Sequence, residues 1–433
     1  MTYIVERLHP PVASVVVEKP KYDPDHVYAW EPANNYKGWK LIARGESEVD
    51  DADVIQSAID VGGKIHISKG EYNINKPILL SGYEKIEGAG FQNTKLIATS
   101  SIDAVFKLKT SGAARITIMD LFVDSNNLAD FAIDLGQYPY GEAYANQGSY
   151  QQRIIRVQTE RSLIAGIRLD ANEDSLVDGC IIGDKLLWDV RSGAGWITNS
   201  YIKSAEIGGQ QVGIYNTTIF RGLKNIVTGS IIKLDTVYIY SSDSGKIIDA
   251  SSRIRMLIAD NLFAIIRNDG DIVISGEFGT GGIIRGLQLE NPNNYTYYIF
   301  DVQSQFAAPN LAYFVIEIVT RYGTGWNYET STNDAIIEVL HWDNNAKRVQ
   351  VSKNKSYNNG TATFSGDGST TQFKIAHGLV STPNKGKTRV WALSADAADN
   401  FWIDVDDTYI YVNYKTAPPS GTDNIVLGWY AEV

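Results

Sequence analysis

A short motif recurs through the middle of this sequence, in which Asp or Asn opens a brief apolar strand. The motif occurs as Asp120-Leu-Phe-Val123, Asp178-Gly-Cys-Ile181, Asn199-Ser-Tyr-Ile202, Asn216-Thr-Thr-Ile219, Asp235-Thr-Val-Tyr238 and Asp260-Asn-Leu-Phe263. Its last five copies are separated by 21, 17, 19 and 25 residues, about the length of one β-solenoid coil. Corresponding residues of successive coils would stack along one axis. The repeat predicts an all-β fold, a right-handed parallel β-helix over roughly residues 50 to 305.

Patterns beside the repeat support this fold. Residues 50–60 combine an acidic first turn with apolar positions at 54, 55, 58 and 59, which predicts a short amphipathic helix that caps the solenoid. After residue 60 no window keeps the helical spacing of apolar residues for more than about ten residues. Asn-Gly and Asp-Gly pairs, which mark the hairpins of a sandwich, are few. Parallel stacking explains the pattern better than either alternative.

The ends of the chain differ from its middle. Residues 1–45 are rich in proline and aromatic residues, which predicts an extended arm or a small head region. The β-helix is expected over residues 46–350, a linker over 352–360, and a small antiparallel β-sandwich over 361–433. The strands predicted for that module are 370–375, 388–393, 401–405, 409–414 and 425–430.

The composition of the chain restricts the classes of partner that it can be expected to bind. A formal net charge of -11 argues against binding to nucleic acid or to an anionic membrane surface, which needs clustered Lys and Arg. No stretch approaches the 18 apolar residues that would cross a bilayer, so membrane insertion is not expected. The single cysteine, Cys180, lies in an apolar run and is interpreted as inert core. Neither a cofactor nor a metal site is predicted.

The start of the solenoid resembles the pectate-lyase-like superfamily. The resemblance rests on the acidic helix at 50–60, a Gly-Gly-x-Ile-x-Ile strand at 62–67, a Gly-x-Tyr-x-Ile strand at 70–74, and the turn containing Gly88 and Gly90. That superfamily includes polysaccharide lyases, glycoside hydrolases and many viral tailspikes. The resemblance implies the fold far more closely than it implies an activity.

The C-terminal segment carries a second resemblance. Residues 364–379, followed by Thr382-Pro383 and the stretch 417–421, are similar to a module at the C-terminal ends of viral fibre and structural proteins, including those of viruses of thermophilic archaea. Together the two resemblances imply a virion tail-fibre or tailspike subunit from such a virus, located in the virion tail and acting outside the cell. Such proteins are usually homotrimers.

The catalytic motifs of the superfamily are missing. Polygalacturonase-like members carry Asn-x-Asp, Asp-Asp, His-Gly and Arg-x-Lys on successive coils, but the only histidine between residues 50 and 305 is His66. No crowded run of carboxylates matches the Ca²⁺ cluster of pectate lyases. An unfamiliar carboxylate pair stays open, because acids one coil apart would lie near the separation of a retaining glycosidase and acids two coils apart near that of an inverting one. The candidates are Asp170, Asp174, Asp178, Asp235, Asp260 and Glu290.

Aromatic side chains offer a second kind of site, since sugar faces stack on Tyr and Trp rings. Two Gly-containing segments poorly patterned for a core are interpreted as exposed loops that bind glycan, through Tyr138, Tyr140, Tyr144, Tyr150, Trp326 and Tyr328. The leading hypothesis is a tail fibre that attaches to a host surface glycan or glycoprotein, with residues 1–45 joining other tail proteins. The alternatives are a polysaccharide depolymerase, either a glycoside hydrolase or a lyase, and a purely structural spacer.

Overall fold

The computed structural model describes residues 15–433 apart from 22, 33–38, 110–113, 137–148, 171, 227–228, 294, 305–312, 323–325, 330–335, 343–347, 354–356 and 380–381. The chain divides into two compact units. The first comprises Met1–Glu277, Ile284–Asp301 and Thr320–Thr330, and the second comprises Phe278–Ile283, Val302–Val319 and Ser331–Val433. Among the described residues, no helix is both long and apolar enough to span a membrane.

Three strands and one helix precede the repeat. They are β1 (Val15–Glu18), β2 (His26–Pro32), β3 (Trp39–Glu46) and α1 (Asp51–Val61). The helix agrees with the expected one, and its buried face includes Val54, Ile55 and Ala58. Strand β1 is antiparallel to β2 and pairs in parallel with the first strand of the β-helix, and its three valines are fully buried. The described part of residues 1–45 therefore contributes core to the first unit. The domain limits themselves remain a prediction.

Short strands separated by turns follow the helix, as the period of two predicts. They are β4 (Lys64–Ile67), β5 (Gly70–Ile74), β6 (Ile78–Leu80), β7 (Lys85–Gly88), β8 (Thr94–Ala98), β9 (Ile102–Leu108), β10 (Thr117–Met119), β11 (Phe122–Asp124), β12 (Ala129–Asp134), β13 (Ser149–Tyr150), β14 (Arg153–Ile155), β15 (Gln158–Glu160), β16 (Ala165–Asp170), β17 (Asn172–Glu173) and β18 (Ser175–Asp178).

From residue 181 the strands are longer and continue around the corners of the coil. They are β19 (Ile181–Thr198), β20 (Tyr201–Ile219), β21 (Leu223–Asn225), β22 (Ser230–Tyr240), β23 (Lys246–Ile265), β24 (Asp271–Glu290) and β25 (Tyr297–Ser304). Four further strands follow: β26 (Tyr313–Tyr322), β27 (Trp326–Glu329), β28 (Ile336–Trp342) and β29 (Arg348–Lys353).

The parallel register shows that each coil of the first unit contributes to three sheets. The inward column of the first sheet stacks Ile65, Ile86, Ile118, Ile154, Val177, Ile197, Ile214, Leu234 and Ala259. The second sheet stacks Tyr72, Leu96, Val123, Thr159, Ile182 and Ile202, and later Ile219, Ile239 and Ala264. The third stacks Ile78, Phe106, Ile133, Ile167, Leu186, Ala205, Leu223 and Ile248. The predicted right-handed parallel β-helix is confirmed.

Burial explains why these columns hold the coils together. The stacked side chains are almost completely inaccessible to solvent. Burying each Ile, Leu or Val contributes roughly 1.5–3 kcal/mol relative to leaving it exposed. Gly88 is required by a close approach between coils, because a Cβ there would lie 2.3 Å from the carbonyl oxygen of Asp120.

The second unit ends in the expected antiparallel sandwich. Its strands are β30 (Tyr357–Gly366), β31 (Gln372–Ala376), β32 (Arg389–Ala392), β33 (Phe401–Val405), β34 (Tyr409–Tyr414) and β35 (Gly421–Glu432), with a 3₁₀ turn at Ala395–Ala397. One sheet has the order β30-β35-β32 and the other β31-β34-β33. Strand β30 begins inside the stretch interpreted as a linker. Strand β30 was not predicted because its sequence is polar and largely exposed, although it pairs along most of β35.

Candidate functional site

The recurring motif forms a corner between the first and second sheets. At each corner one residue has a positive φ, a conformation that favours Gly, Asn and Asp. These residues are Asp120, Arg156, Gly179, Asn199, Asn216, Thr236, Asn261 and Gly286. At the first four corners, the corner amide donates to a carbonyl of the next coil: Asp120 to Ile155, Arg156 to Asp178, Gly179 to Thr198, and Asn199 to Tyr215. The motif is therefore a structural corner of the coil.

The position of the acidic residue within the motif varies. Asp120, Asn199 and Asn216 are themselves the corner residues, whereas Asp178, Asp235 and Asp260 lie one residue earlier. These three belong to one outward column of the first sheet, in which the register runs Asp178, Thr198, Tyr215, Asp235, Asp260. Three of the predicted carboxylates thus share one ladder, although Asp178 is three coils from Asp235.

Asp178 is bound by side chains of the next coil. Its Oδ1 accepts hydrogen bonds from Thr198 Oγ1 at 2.6 Å and from Asn199 Nδ2 at 2.8 Å. A carboxylate held in this way stabilises the corner. Asp120 stabilises its corner in a similar way, by accepting hydrogen bonds from Arg156 Nε at 2.7 Å and from Arg156 Nη2 at 2.6 Å. This bidentate pair raises the pKa of the Arg156 guanidinium.

Asp235 and Asp260 form the pair that best fits the predicted chemistry. They are register partners on neighbouring parallel strands, which places their backbones about 4.8 Å apart. Asp235 Oδ1 accepts a hydrogen bond from Thr236 Oγ1 at 3.0 Å, and Asp260 Oδ1 lies 3.6 Å from an Arg285 guanidinium nitrogen. The Asp260 side chain is 44% exposed and can meet a ligand.

The three candidate acids outside the ladder do not join this pair. Asp170 lies at the end of β16, in the third sheet, with Asp189 as its partner on the next coil. Asp174 is exposed in the turn before β18, with a positive φ. The carbonyl of Glu290 accepts the amide of Ile266, which places Glu290 in the second sheet, beyond the corner from Asp260. Asp170, Asp174 and Asp178 follow one another around a single coil.

An exposed row of aromatic rings runs along the second sheet just past this corner. We define the aromatic strip as Tyr201, Phe220, Tyr238, Tyr240 and Phe263. Tyr238 and Phe263 are register partners whose rings stack at 4.1 Å with an interplanar angle of 11°. The Phe220 and Tyr240 rings stack at 5.4 Å. Tyr201 is 56% exposed, and Phe220 and Tyr238 are each 39% exposed. Large rings on an outward face have no role in the core of the coil.

A polar cleft begins one residue beyond Phe220, where the chain turns toward the third sheet. Its volume is about 290 Å³, and its charged lining consists of Glu206, Arg221, Lys224, Asp243, Lys246 and Asp249. Arg221 pairs with Asp243 at 3.0 Å and Lys246 with Asp249 at 3.1 Å. Together, the aromatic strip and the polar cleft offer exposed apolar ring surface beside many hydrogen-bonding groups.

The predicted aromatic loops are only partly described. Tyr138, Tyr140 and Tyr144 lie outside the described residues. Tyr150 ends the short strand β13, which pairs with β17. Trp326 and Tyr328 do not lie in a loop as expected, because β27 covers both and pairs in parallel with β25. The glycan-binding role of all six residues remains a prediction.

Metal binding and thiol chemistry have no support among the described residues. No group of three or more His, Cys, Asp and Glu residues there could hold a metal ion. Cys180 is fully buried, and burial raises the pKa of its thiol to about 12. The interpretation of Cys180 as a core residue is confirmed, and its inertness remains a prediction.

The aromatic strip can be recognised in the sequence only if the copies of the motif are aligned on the corner residue and not on the Asp or Asn that opens the motif. Aligned on the positive-φ residue, three motifs place a ring of the strip two positions later: Tyr201 follows Asn199, Tyr238 follows Thr236, and Phe263 follows Asn261. Phe220 and Tyr240 lie four positions after Asn216 and Thr236, on the same face of the strand. Aligned on the acidic residue, the same rings fall in different columns. The conformation at the corner was the missing information.

The described coils define a parallel β-helix, and the comparisons agree with that class. No protein-family model matches the sequence, and no curated protein sequence matches it. The tailspike protein of Acinetobacter phage vB_ApiP_P1 is similar in structure, with a TM-score of 0.51 and 13% identity over 98% of this chain and 96% of that chain. At this identity the likeness shows the fold alone.

Two other solved structures are similar at lower scores. Tailspike gp49 of Pseudomonas phage LKA1 has a TM-score of 0.43 and 11% identity, over 87% of this chain and 92% of that chain. The A-module of mannuronan C-5 epimerase AlgE4 from Azotobacter vinelandii has a TM-score of 0.41 and 14% identity, over 68% and 96%. These sources are bacteriophages and a bacterium. They give no support to the expected origin in a virus of thermophilic archaea.

Proposed function

We propose that this chain is a virion tailspike or tail-fibre subunit that attaches to a glycan or glycoprotein on the host surface. The observation that carries the proposal is the aromatic strip beside the polar cleft. The similarity in fold to a phage tailspike supports the same reading. Attachment of this kind takes place outside the cell, with the protein in the tail of the virion.

The geometry suits an extended saccharide. The exposed ring surface of the aromatic strip provides an apolar contact for the C–H face of a sugar ring, and the polar cleft offers charged groups for its hydroxyls. Because the rings recur on successive coils, several sugar units can be bound by one surface. Each contact is weak, so attachment depends on the number of contacts made together.

The proposal includes partners that supply further contacts. Residues 1–45 join other tail proteins, and three copies of the chain associate, which multiplies weak sugar contacts into stable attachment. Nucleic acid and membrane lipids are not partners. Sedimentation of the purified chain tests the association, and a monomer at all micromolar concentrations would remove the trimer from the proposal.

The test of attachment uses envelopes of candidate host cells. Purified protein is incubated with them while retained protein and newly released reducing or unsaturated sugar ends are both recorded. Retention without release supports an adhesin. A chain that is retained by no envelope of its host would refute the proposed function.

A depolymerase is the second candidate, and the Asp235–Asp260 register pair is the observation that favours it. Carboxyl groups about 5–5.5 Å apart serve retaining glycosidases, one as general acid and the other as nucleophile. Neighbouring coils bring two side chains close to that separation. The pair also lies just across the corner from the aromatic strip, so a bound saccharide can reach it.

Asparagine substitutions test this candidate. Asp235→Asn and Asp260→Asn should each abolish sugar release without loss of folding, because amides neither donate a proton nor attack the anomeric carbon. Asp103→Asn is the control, since Asp103 pairs with Lys107 on another sheet. Release that survives both substitutions would exclude this pair as the catalytic carboxylates.

A further inference from the structure

We propose that the second unit carries a separate binding site for an acidic saccharide, in a cleft at one edge of the C-terminal sandwich. The cleft has a volume of about 460 Å³ and lies between strands β32 and β33. A volume of this size falls within the range of small-molecule sites. The inference concerns other residues than the aromatic strip and does not rest on the function proposed for it.

The sandwich leaves this edge open. Among the described strands, β32 pairs only with β35, and β33 pairs only with β34. Val390, Phe401 and Ile403 pack against the core of the sandwich and form an apolar floor. Alternation along each strand then directs Trp391 and Trp402 outward, one at each side of the opening.

Trp391 is arranged as a platform. Its ring lies against Gly428, where an added Cβ would come within 2.3 Å of the indole Cε2. One face of the indole is therefore held on the sheet, and the side chain is nevertheless 46% exposed. Trp402 is 56% exposed. A fixed indole with a free face suits the apolar side of a sugar ring.

The charges at the cleft favour an acidic sugar. Lys385 pairs with Asp404 at 2.5 Å, and Lys387 pairs with Glu432 at 2.6 Å. Arg389 lines the cleft two residues before Trp391, and no ion pair of Arg389 occurs among the described residues. A guanidinium presents a planar fork that matches a carboxylate. The cleft thus combines a stacking surface with a positive charge that has no ion-pair partner in the described part of the chain.

The experiment uses the full chain and a panel of acidic polysaccharides, each beside its carboxyl-reduced neutral form. We expect binding to at least one acidic member and about tenfold weaker binding to its reduced form. Trp391→Ala and Trp402→Ala should each weaken binding by about tenfold, or 1.4 kcal/mol. Arg389→Gln should remove the preference for the acidic form while stacking still supports weak binding.

Two controls separate this inference from the proposed function. Tyr83→Ala removes an exposed tyrosine of the first unit that lies outside the aromatic strip, and it should leave binding of the acidic member unchanged. Loss of that binding in Tyr238→Ala together with its retention in Trp391→Ala would overturn the proposed cleft site. Sedimentation of the tryptophan variants tests whether the cleft binds a second copy of the chain and not a saccharide. If they dissociate an oligomer, the cleft holds a second copy of the chain and the saccharide is rejected. Failure of every acidic member to bind also overturns the inference.

Discussion

At the scale of single residues, the corners of the coil decide which side chains face outward together. A residue with positive φ turns the chain between the first and second sheets, and its amide reaches the neighbouring coil in the four corners from Asp120 to Asn199. The residue before it faces outward from the first sheet, and the residue two later faces outward from the second. The carboxylate ladder and the aromatic strip therefore follow from one backbone conformation repeated along the coils.

The corner of coil 230–240 contains the least suitable residue type. Thr236 has a φ of 54°, and a β-branched side chain is unfavourable in that region. Thr236→Asn should stabilise the first unit by about 1 kcal/mol, since Asn tolerates the conformation and its side-chain amide can replace the hydrogen bond that Thr236 Oγ1 donates to Asp235. Denaturant unfolding measures the change.

The next coil supplies the matched control for that prediction. Asn261 occupies the same corner with a φ of 53°. Asn261→Thr should destabilise the first unit by about the same 1 kcal/mol. Equal stability of both variants and the parent chain would show that the corner conformation costs little in this fold.

Cys180 provides a second prediction at this scale. Its side chain is fully buried, and the raised pKa of about 12 leaves almost no thiolate at neutral pH. A disulfide-exchange reagent at pH 8 should leave the native chain unmodified and label the chain in denaturant completely. Rapid labelling of the native chain would contradict the buried position of this residue.

At the scale of strands and helices, regular patterns were predictable and irregular ones were not. The capping helix, the strands after Gly62 and five strands of the sandwich follow from period-two or helical spacing of apolar residues. Strand β30 could not be predicted from such spacing, because its sequence is polar. Its pairing with β35 nevertheless stabilises it as a strand. The strand containing Trp326 was also missed, because Gly323 and Gly325 directly before it are typical of a loop.

The candidate site was predictable only in part, for a related reason. Asp235 and Asp260 were found because the repeat length places them one coil apart. The aromatic strip was not found, because a one-residue shift in the alignment moves a side chain to the other face of a strand. Spacing alone does not show which residue of the motif adopts the positive φ.

The turn between β33 and β34 makes the second unit sensitive to acid. The Asp406 carboxylate accepts hydrogen bonds from Tyr411 Oη at 2.6 Å and from the amides of Tyr409 and Thr408, and these bonds lower the pKa of the carboxyl to about 2. A pKa lowered by folding stabilises the folded state above the unfolded pKa, about 3.9. That stabilisation is lost as pH falls from about 4 to 2.

Hydrogen exchange tests the acid sensitivity of this turn. The chain is equilibrated between pH 2 and 6, and exchange into β33 and β34 is sampled by short pulses at a common pH. Protection should fall between pH 4 and 2 in the parent chain, and Asp406→Asn should weaken protection at pH 6 and flatten the profile. Asp399→Asn is the control. An unchanged profile in Asp406→Asn would contradict the assigned role.

At the scale of the whole molecule, the two units differ in what they expose. The first unit repeats similar coils, so an outward column presents related groups at a regular interval. The sandwich of the second unit presents one localised cleft. A chain built in this way can bind an extended saccharide along one unit and a single acidic sugar on the other.

The most direct test of the central claim is the affinity of the full chain for host envelopes after changes in the aromatic strip. Tyr201→Ala and Tyr238→Ala should each weaken retention by about tenfold, which corresponds to 1.4 kcal/mol. Tyr83→Ala, which removes a tyrosine that is 69% exposed and lies at the start of the β-helix, should leave retention unchanged. Retention equal to that of the parent chain in both strip variants would contradict the claim that this surface attaches the protein to its host.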